Sequence, residues 1–61
     1  MLARTIHDIK IGDRVRSLAD GSHGEVEDVD GAAVKVRWDD GEYSIYHKRD
    51  GFTLFVPEVN I

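Results

Sequence analysis

Asp30-Gly31-Ala32-Ala33-Val34-Lys35-Val36-Arg37-Trp38-Asp39-Asp40-Gly41 reads as turn, strand, turn. Val34, Val36 and Trp38 alternate with Lys35 and Arg37, a period of two that suits a half-buried β-strand. Both ends carry Asp-Gly. Glycine accepts positive φ, and aspartate tolerates it while its carboxylate bonds nearby backbone N–H groups. Working outward, the same dipeptide recurs as Asp20-Gly21 and Asp50-Gly51, so four Asp-Gly pairs stand ten residues apart. Turn signals at that interval predict an all-β chain of short strands. The intervening segments are not copies of one another, so the interval reports strand length and not a sequence repeat.

The neighbouring segments agree. Tyr43 and Ile45 alternate with Ser44 and Tyr46; Phe52, Leu54 and Val56 alternate with Thr53 and Phe55. Val15 lies between two arginines, Val26 between two glutamates, and Ile9 and Ile11 flank Lys10. No stretch carries a helical stripe. Five strands are predicted near residues 13–18, 24–28, 33–39, 42–47 and 52–56. Taking Asp40-Gly41 as a two-residue loop sets Trp38 opposite Tyr43, Val36 opposite Ile45 and, on the outer face, Lys35 opposite Tyr46. Taking Val29-Asp30-Gly31 as a three-residue loop with Gly31 left-handed sets Val26 opposite Val34 and Glu25 opposite Lys35. A five-stranded meander with one apolar face closes best as a small SH3-like barrel, which removes most exposed strand edges. Pro57 ends the last strand, and Pro57–Asn60 has room for a single 3-10 turn.

The chain has 61 residues, enough for one domain over 1–61, with 1–8 read as a flexible N-terminal arm. It has no cysteine, which excludes a disulfide scaffold and a Cys-ligated zinc module. No apolar run approaches about 18 residues, and no apolar segment follows Met1-Leu2-Ala3-Arg4. The expected setting is the cytoplasm, and the size suggests a free-standing small bacterial or phage protein. The net charge is -4. Eight of the twelve acids are aspartates, and four of those belong to Asp-Gly pairs; the other eight acids balance the eight bases. Much of the acidity is therefore turn chemistry, and it argues only weakly against a nucleic-acid partner.

Gly12-Asp13-Arg14-Val15-Arg16, then Gly21, then Gly24-Glu25-Val26 and Val29, resembles a KOW motif. That resemblance implies an SH3-like barrel of the kind that touches RNA or protein partners in ribosomal proteins and elongation factors. Val34-Lys35-Val36-Arg37-Trp38-Asp39-Asp40-Gly41, with Tyr46 and Gly51, resembles the Mib–Herc2 domain of ubiquitin ligases, whose members bind peptide segments. The characteristic N-terminal strand and long glycine-rich first loop of that family are not obvious here. Gly12-Asp13-Arg14-Val15-Arg16 with Ile45-Tyr46 is also similar to type II dihydrofolate reductases, which assemble as tetramers around a pore. Ser17 and Ser44 stand where that family uses a lysine and a glutamine, so two ligand-binding groups are missing.

His7, His23 and His47 have no metal-ligand spacing, and no cofactor is expected. Asp20, Ser22 and His23 share a glycine loop, where turn chemistry is the ordinary role and a catalytic triad would need positioned geometry. Gly21-Ser22-His23-Gly24 lacks the lysine and helix of a phosphate loop. Asp39-Asp40 and Glu27-Asp28-Asp30 lie at hairpin tips, where water screens them. The informative set is the outward strand face: Arg14, Arg16, Lys35 and Arg37, with Lys48 and Arg49 following a strand and Tyr46 beside Lys35. A tyrosine among cations suits stacking on bases or packing against a peptide, although long charged side chains also commonly cover a solvated sheet. Trp38 is in phase with the core, and Phe55 is read as a second-layer core residue. The preferred function is a non-catalytic module that binds a protein or peptide through the outer strand face or first loop. A KOW-like nucleic-acid role through the basic residues is the alternative, and a reductase tetramer the weaker one.

Overall fold

The computed structural model describes residues 5–58. Five strands follow in chain order: β1 (Arg14–Ser17), β2 (His23–Val29), β3 (Ala33–Trp38), β4 (Tyr43–His47) and β5 (Phe55–Pro57). Two short 3-10 turns, Ile6–Asp8 and Lys48–Asp50, complete the elements. The sheet is antiparallel throughout, with order β4-β3-β2-β1-β5, and curls into a half-barrel consistent with a small SH3-like barrel. The predicted strand positions hold, except that β5 starts at Phe55 because 52–54 bend. The 3-10 turn expected at Pro57–Asn60 extends outside the described residues; Pro57 itself closes β5.

One face of the curl is the core, made of Ile6, Ile9, Val15, Val26, Val34, Val36, Trp38 and Phe55. The alternation in β3 is as the sequence predicts, with Val34, Val36 and Trp38 buried. The first four residues lie outside the described part. From Ile6 onward, however, the expected arm is packed, since Ile6 and Ile9 enter the core from the 3-10 turn. Ile9 and Ile11 do not share a face. Gly12 at φ 95° turns the chain and leaves Ile11 64% exposed.

Three features of the register differ from expectation. The β3–β4 connection is a three-residue loop, not two. Trp38 N–H donates to the Glu42 carbonyl at 2.7 Å, and Gly41 N–H donates to the Trp38 carbonyl at 2.9 Å. A two-residue loop with glycine second is a type I′ turn, which needs φ > 0 at both central positions. Gly41 supplies it at 93°, but among the described residues no non-glycine does, Asp40 included. The consequence is a one-residue shift. Arg37 faces Tyr43, Lys35 faces Ile45, and Val34 faces Tyr46. Tyr43 and Ile45 therefore point out, and Ser44 and Tyr46 point in.

At the β2–β3 connection, Gly31 is not left-handed. The Asp30 carboxylate instead accepts the N–H groups of Ala32 and Ala33 at 2.8 and 2.7 Å. A bulge at Glu27 then re-phases β2, so that Val26 pairs with Val36 and Val29 with Val34. Glu25 faces Arg37, and Asp28 takes the place opposite Lys35. A bulge inserts one residue, which lets Val26 and Val29 both serve the core despite their odd spacing.

The aspartates of these turns carry a pH signature. The Ser22 N–H holds the Asp20 carboxyl below the usual aspartate range, and the Ala32 and Ala33 N–H groups do the same for Asp30. Asp39 is lowered first by its hydrogen bond from Arg14. A carboxyl whose folded pKa is depressed contributes stability above its unfolded value, and that stability is lost as pH falls through the folded one. The urea midpoint is thus expected to decline as pH drops below the ordinary aspartate value of 3.8. An Asp20→Asn, Asp30→Asn double variant keeps an acceptor at each turn but removes the charge. Its midpoint should decline less steeply over the same range, and an unchanged slope would refute the assignment.

Candidate functional site

The outer face of the sheet is organised by the same ladders. Across β1–β4, one row runs Arg14, Glu25, Arg37, Tyr43, and the next includes Asp28, Lys35, Ile45. Arg14 makes a fork with Asp39, Nη1 to Oδ1 at 3.2 Å and Nη2 to Oδ2 at 2.9 Å. That fork raises the Arg14 pKa. The Lys35 ammonium lies 3.7 Å from Glu27 Oε2 and 4.7 Å from the centre of the Tyr43 ring. Four strand cations, Arg14, Arg16, Lys35 and Arg37, thus share the face with Glu25, Glu27, Asp28 and Asp39. It is a mixed surface and not a basic one.

The structure brings Lys35 and Arg37 together and places Arg14 and Arg16 on the same face, two strands away. Lys48 and Arg49 sit elsewhere. They occupy the 3-10 turn after β4, where Lys48 N–H bonds the Ala32 carbonyl at the far end of β3 from Arg37. Tyr46 is not a member of the face. The register shift turns it inward, where its ring stacks on Phe55 with centroids 4.7 Å apart. Tyr43 takes the position over Lys35 that was expected of Tyr46.

What the sequence did not expose is an apolar component on this face. Tyr43 is 53% and Ile45 67% exposed, both on β4. Two shallow depressions set an apolar side chain beside a cation. One of about 220 Å³ has Ile11 and Arg37 in its wall, and one of about 110 Å³ has Ile45 and Lys35. Correct loop length at Asp39–Gly41 was the missing signal, since it alone decides which residues of β4 face out.

A separate cleft of about 260 Å³ opens between the first loop and the β3–β4 hairpin. Asp20, Asp40 and Glu42 line it with Trp38 and Tyr46. Ser44 Oγ accepts the Trp38 indole N–H at 2.9 Å, and Ser17 Oγ accepts the Ala19 N–H at 3.2 Å. Both serines are thereby committed to local structure. The loop set Asp20, Ser22, His23 forms no triad. The Asp20 carboxylate takes the Ser22 backbone N–H, and His23 Nδ1 lies 2.7 Å from Glu58 Oε1.

Among the described residues, no group of three or more His, Cys, Asp or Glu is placed to hold a metal ion. No described helix is long and apolar enough to cross a membrane. Comparison with family models, with curated proteins and with solved structures yields no match to this chain. Function therefore rests on the surface itself.

Proposed function

We propose that this domain is a non-catalytic cytoplasmic interaction module that takes a protein segment on the outer face of β3 and β4. The observation that carries the reading is the exposure of Tyr43 and Ile45 beside Lys35 and Arg37. Aromatic and arginine side chains with an apolar neighbour are the composition of protein-interface anchors. Charge supports the same reading over a KOW-like one. Phosphate binding depends on cations that are free to replace counterions. Arg14 is held by Asp39, Lys35 is near Glu27, and Arg37 faces Glu25. The acidic cleft by the first loop is also a poor host for phosphate. The partner segment that fits is amphipathic, with an apolar anchor for Ile45 and Tyr43 and an acidic group for Arg37.

Affinity capture from the native cytoplasm tests this when run with a Tyr43→Ser, Ile45→Ser double variant. The wild type should retain a discrete protein that the variant loses, with equal thermal stability for both. Titration with short RNA and DNA at several salt concentrations runs alongside. If the same protein is captured by both forms, the outer-face reading fails. So it does if RNA or DNA binds, weakens steeply with salt and is lost on Arg37→Ala; the KOW-like reading then takes its place.

A further inference from the structure

The sheet has two edges, β4 and β5, and they are built differently. β5 is three residues long and ends at Pro57, which has no N–H to offer. Short length and proline are ordinary protections of an edge. β4 has none of them. Tyr43-Ser44-Ile45-Tyr46-His47 contains no lysine, arginine, carboxylate, proline or glycine, and it pairs without a bulge.

The ladder shows which of its backbone groups are open. Trp38 N–H bonds the Glu42 carbonyl at one end, and Lys48 N–H bonds the Ala32 carbonyl at the other. In an antiparallel pair, hydrogen-bonded and non-bonded positions alternate. Ser44 and Tyr46 therefore exchange bonds with Val36 and Val34. The N–H and C=O groups of Tyr43, Ile45 and His47 point away from β3, and none of them bonds another described element. The side chains of these same three residues stand on the outer face.

We infer that β4 pairs antiparallel with β4 of a second copy of this chain, on a two-fold axis at Ile45. The strand is complementary to itself in this register. Ile45 meets Ile45 of the copy, and Tyr43 meets His47, so each open donor and acceptor finds a partner of the right parity. A two-fold contact closes on itself and adds no new edge of the same kind. Charge permits it. The nearest cation, Lys35, is turned to Glu27 and Tyr43, and two such lysines lie about three strand spacings, roughly 14 Å, apart. That exceeds the screening length of about 8 Å at physiological salt. The pairing also sets Ile45, the most exposed large apolar side chain described, beside its own copy on the outer face. The inference goes beyond the outer-face reading and does not depend on it.

A five-residue seam is small, so the contact is weak and concentration-dependent. Sedimentation equilibrium over rising protein concentration reads it with this chain alone, which keeps it separate from any partner assay. Wild type should move from 6.9 kDa towards twice that mass. Ile45→Lys places like charges directly across the axis and should remain a monomer. Leu54→Lys, at another apolar site that is 54% exposed, should dimerise as wild type does. In wild type, hydrogen exchange of the Tyr43, Ile45 and His47 amides should slow as concentration rises. A wild type that stays monomeric up to about millimolar protein overturns the inference. So does an Ile45→Lys dimer of wild-type strength, a Leu54→Lys monomer, or protection that appears elsewhere and not on these three amides.

Discussion

Phe55→Ala is expected to leave the domain mostly unfolded at room temperature. The Phe55 side chain is fully buried, with Tyr46 stacked at 4.7 Å and Phe52 edge-on at 5.6 Å between ring centroids. Removing a buried phenyl ring costs about 3–5 kcal/mol, as lost transfer energy plus a cavity. A domain below about 70–80 residues rarely holds more than about 3–5 kcal/mol in total. The two magnitudes are equal, so the substitution consumes the whole margin. Trp38 is the single tryptophan and is buried, which makes its fluorescence a direct reporter. Phe55→Ala should give the emission of a solvated indole in buffer without denaturant. Phe52→Ala, at a half-buried position, should keep a buried emission and unfold at a lower urea midpoint than wild type. If the two variants behaved alike, or in the reverse order, Phe55 would not be the centre of this core.

That comparison also marks where the sequence stopped being legible. In β3 the apolar and charged residues keep separate phases, so a period of two could be read in only one way. Phe52-Thr53-Leu54-Phe55-Val56 has apolar residues in both phases, and the period is silent about which faces in. The shortage of apolar residues in so small a domain points to Phe55 as core, and the structure buries it at the centre, because the chain bends through 52–54 and enters the sheet only at Phe55. Tyr43-Ser44-Ile45-Tyr46 has the same difficulty, with an aromatic residue in each phase. There the outcome hung on one loop residue, and turn chemistry that requires φ > 0 at Asp40 was the wrong choice. The error propagated straight to the site. It exchanged Tyr46 for Tyr43 and hid Ile45 in the core. The cations on β1 and β3 could be placed on the outer face because their strands had unambiguous phases. Their neutralisation by Asp39, Glu27 and Glu25 could not, since it depends on the bulge at Glu27 and on side chains 25 residues apart, such as Arg14 and Asp39. The aspartates were read correctly as turn formers. Asp20, Asp30 and Asp40 each accept the backbone N–H of the residue after their own glycine, and Asp30 accepts that of the following residue as well.

Gly24→Ala is expected to be the most damaging of the small substitutions. Gly24 lies within β2 and faces inward, paired with Val15 on one side and Trp38 on the other. A Cβ there would stand 2.7 Å from Trp38 Cε3, 2.8 Å from the Arg37 carbonyl oxygen and 3.1 Å from Val36 Cγ1. Two of these neighbours belong to the core, and the third is backbone of the paired strand β3, so none can move at low cost. Overpacking of this kind costs about 1–3 kcal/mol, again a large part of what so small a domain holds. The other glycines provide the scale. Gly31 has open space and an ordinary φ, so Gly31→Ala should be neutral or stabilising by up to about 1 kcal/mol through the unfolded chain. Gly41 also has open space, but its φ of 93° strains any other residue, at about 1–2 kcal/mol. Urea midpoints should therefore rank Gly31→Ala highest, then Gly41→Ala, then Gly24→Ala. A double variant separates the two sources of the clash. Replacing Trp38 with leucine opens the indole side of the site but leaves the Arg37 carbonyl in place. Gly24→Ala should then cost less in the Trp38→Leu background than in wild type, yet still more than zero, a coupling that a thermodynamic cycle reads directly. If the cost were unchanged, the Trp38 indole would not be what makes glycine necessary at this position, and the close approach of β2 and β3 backbones would carry it alone.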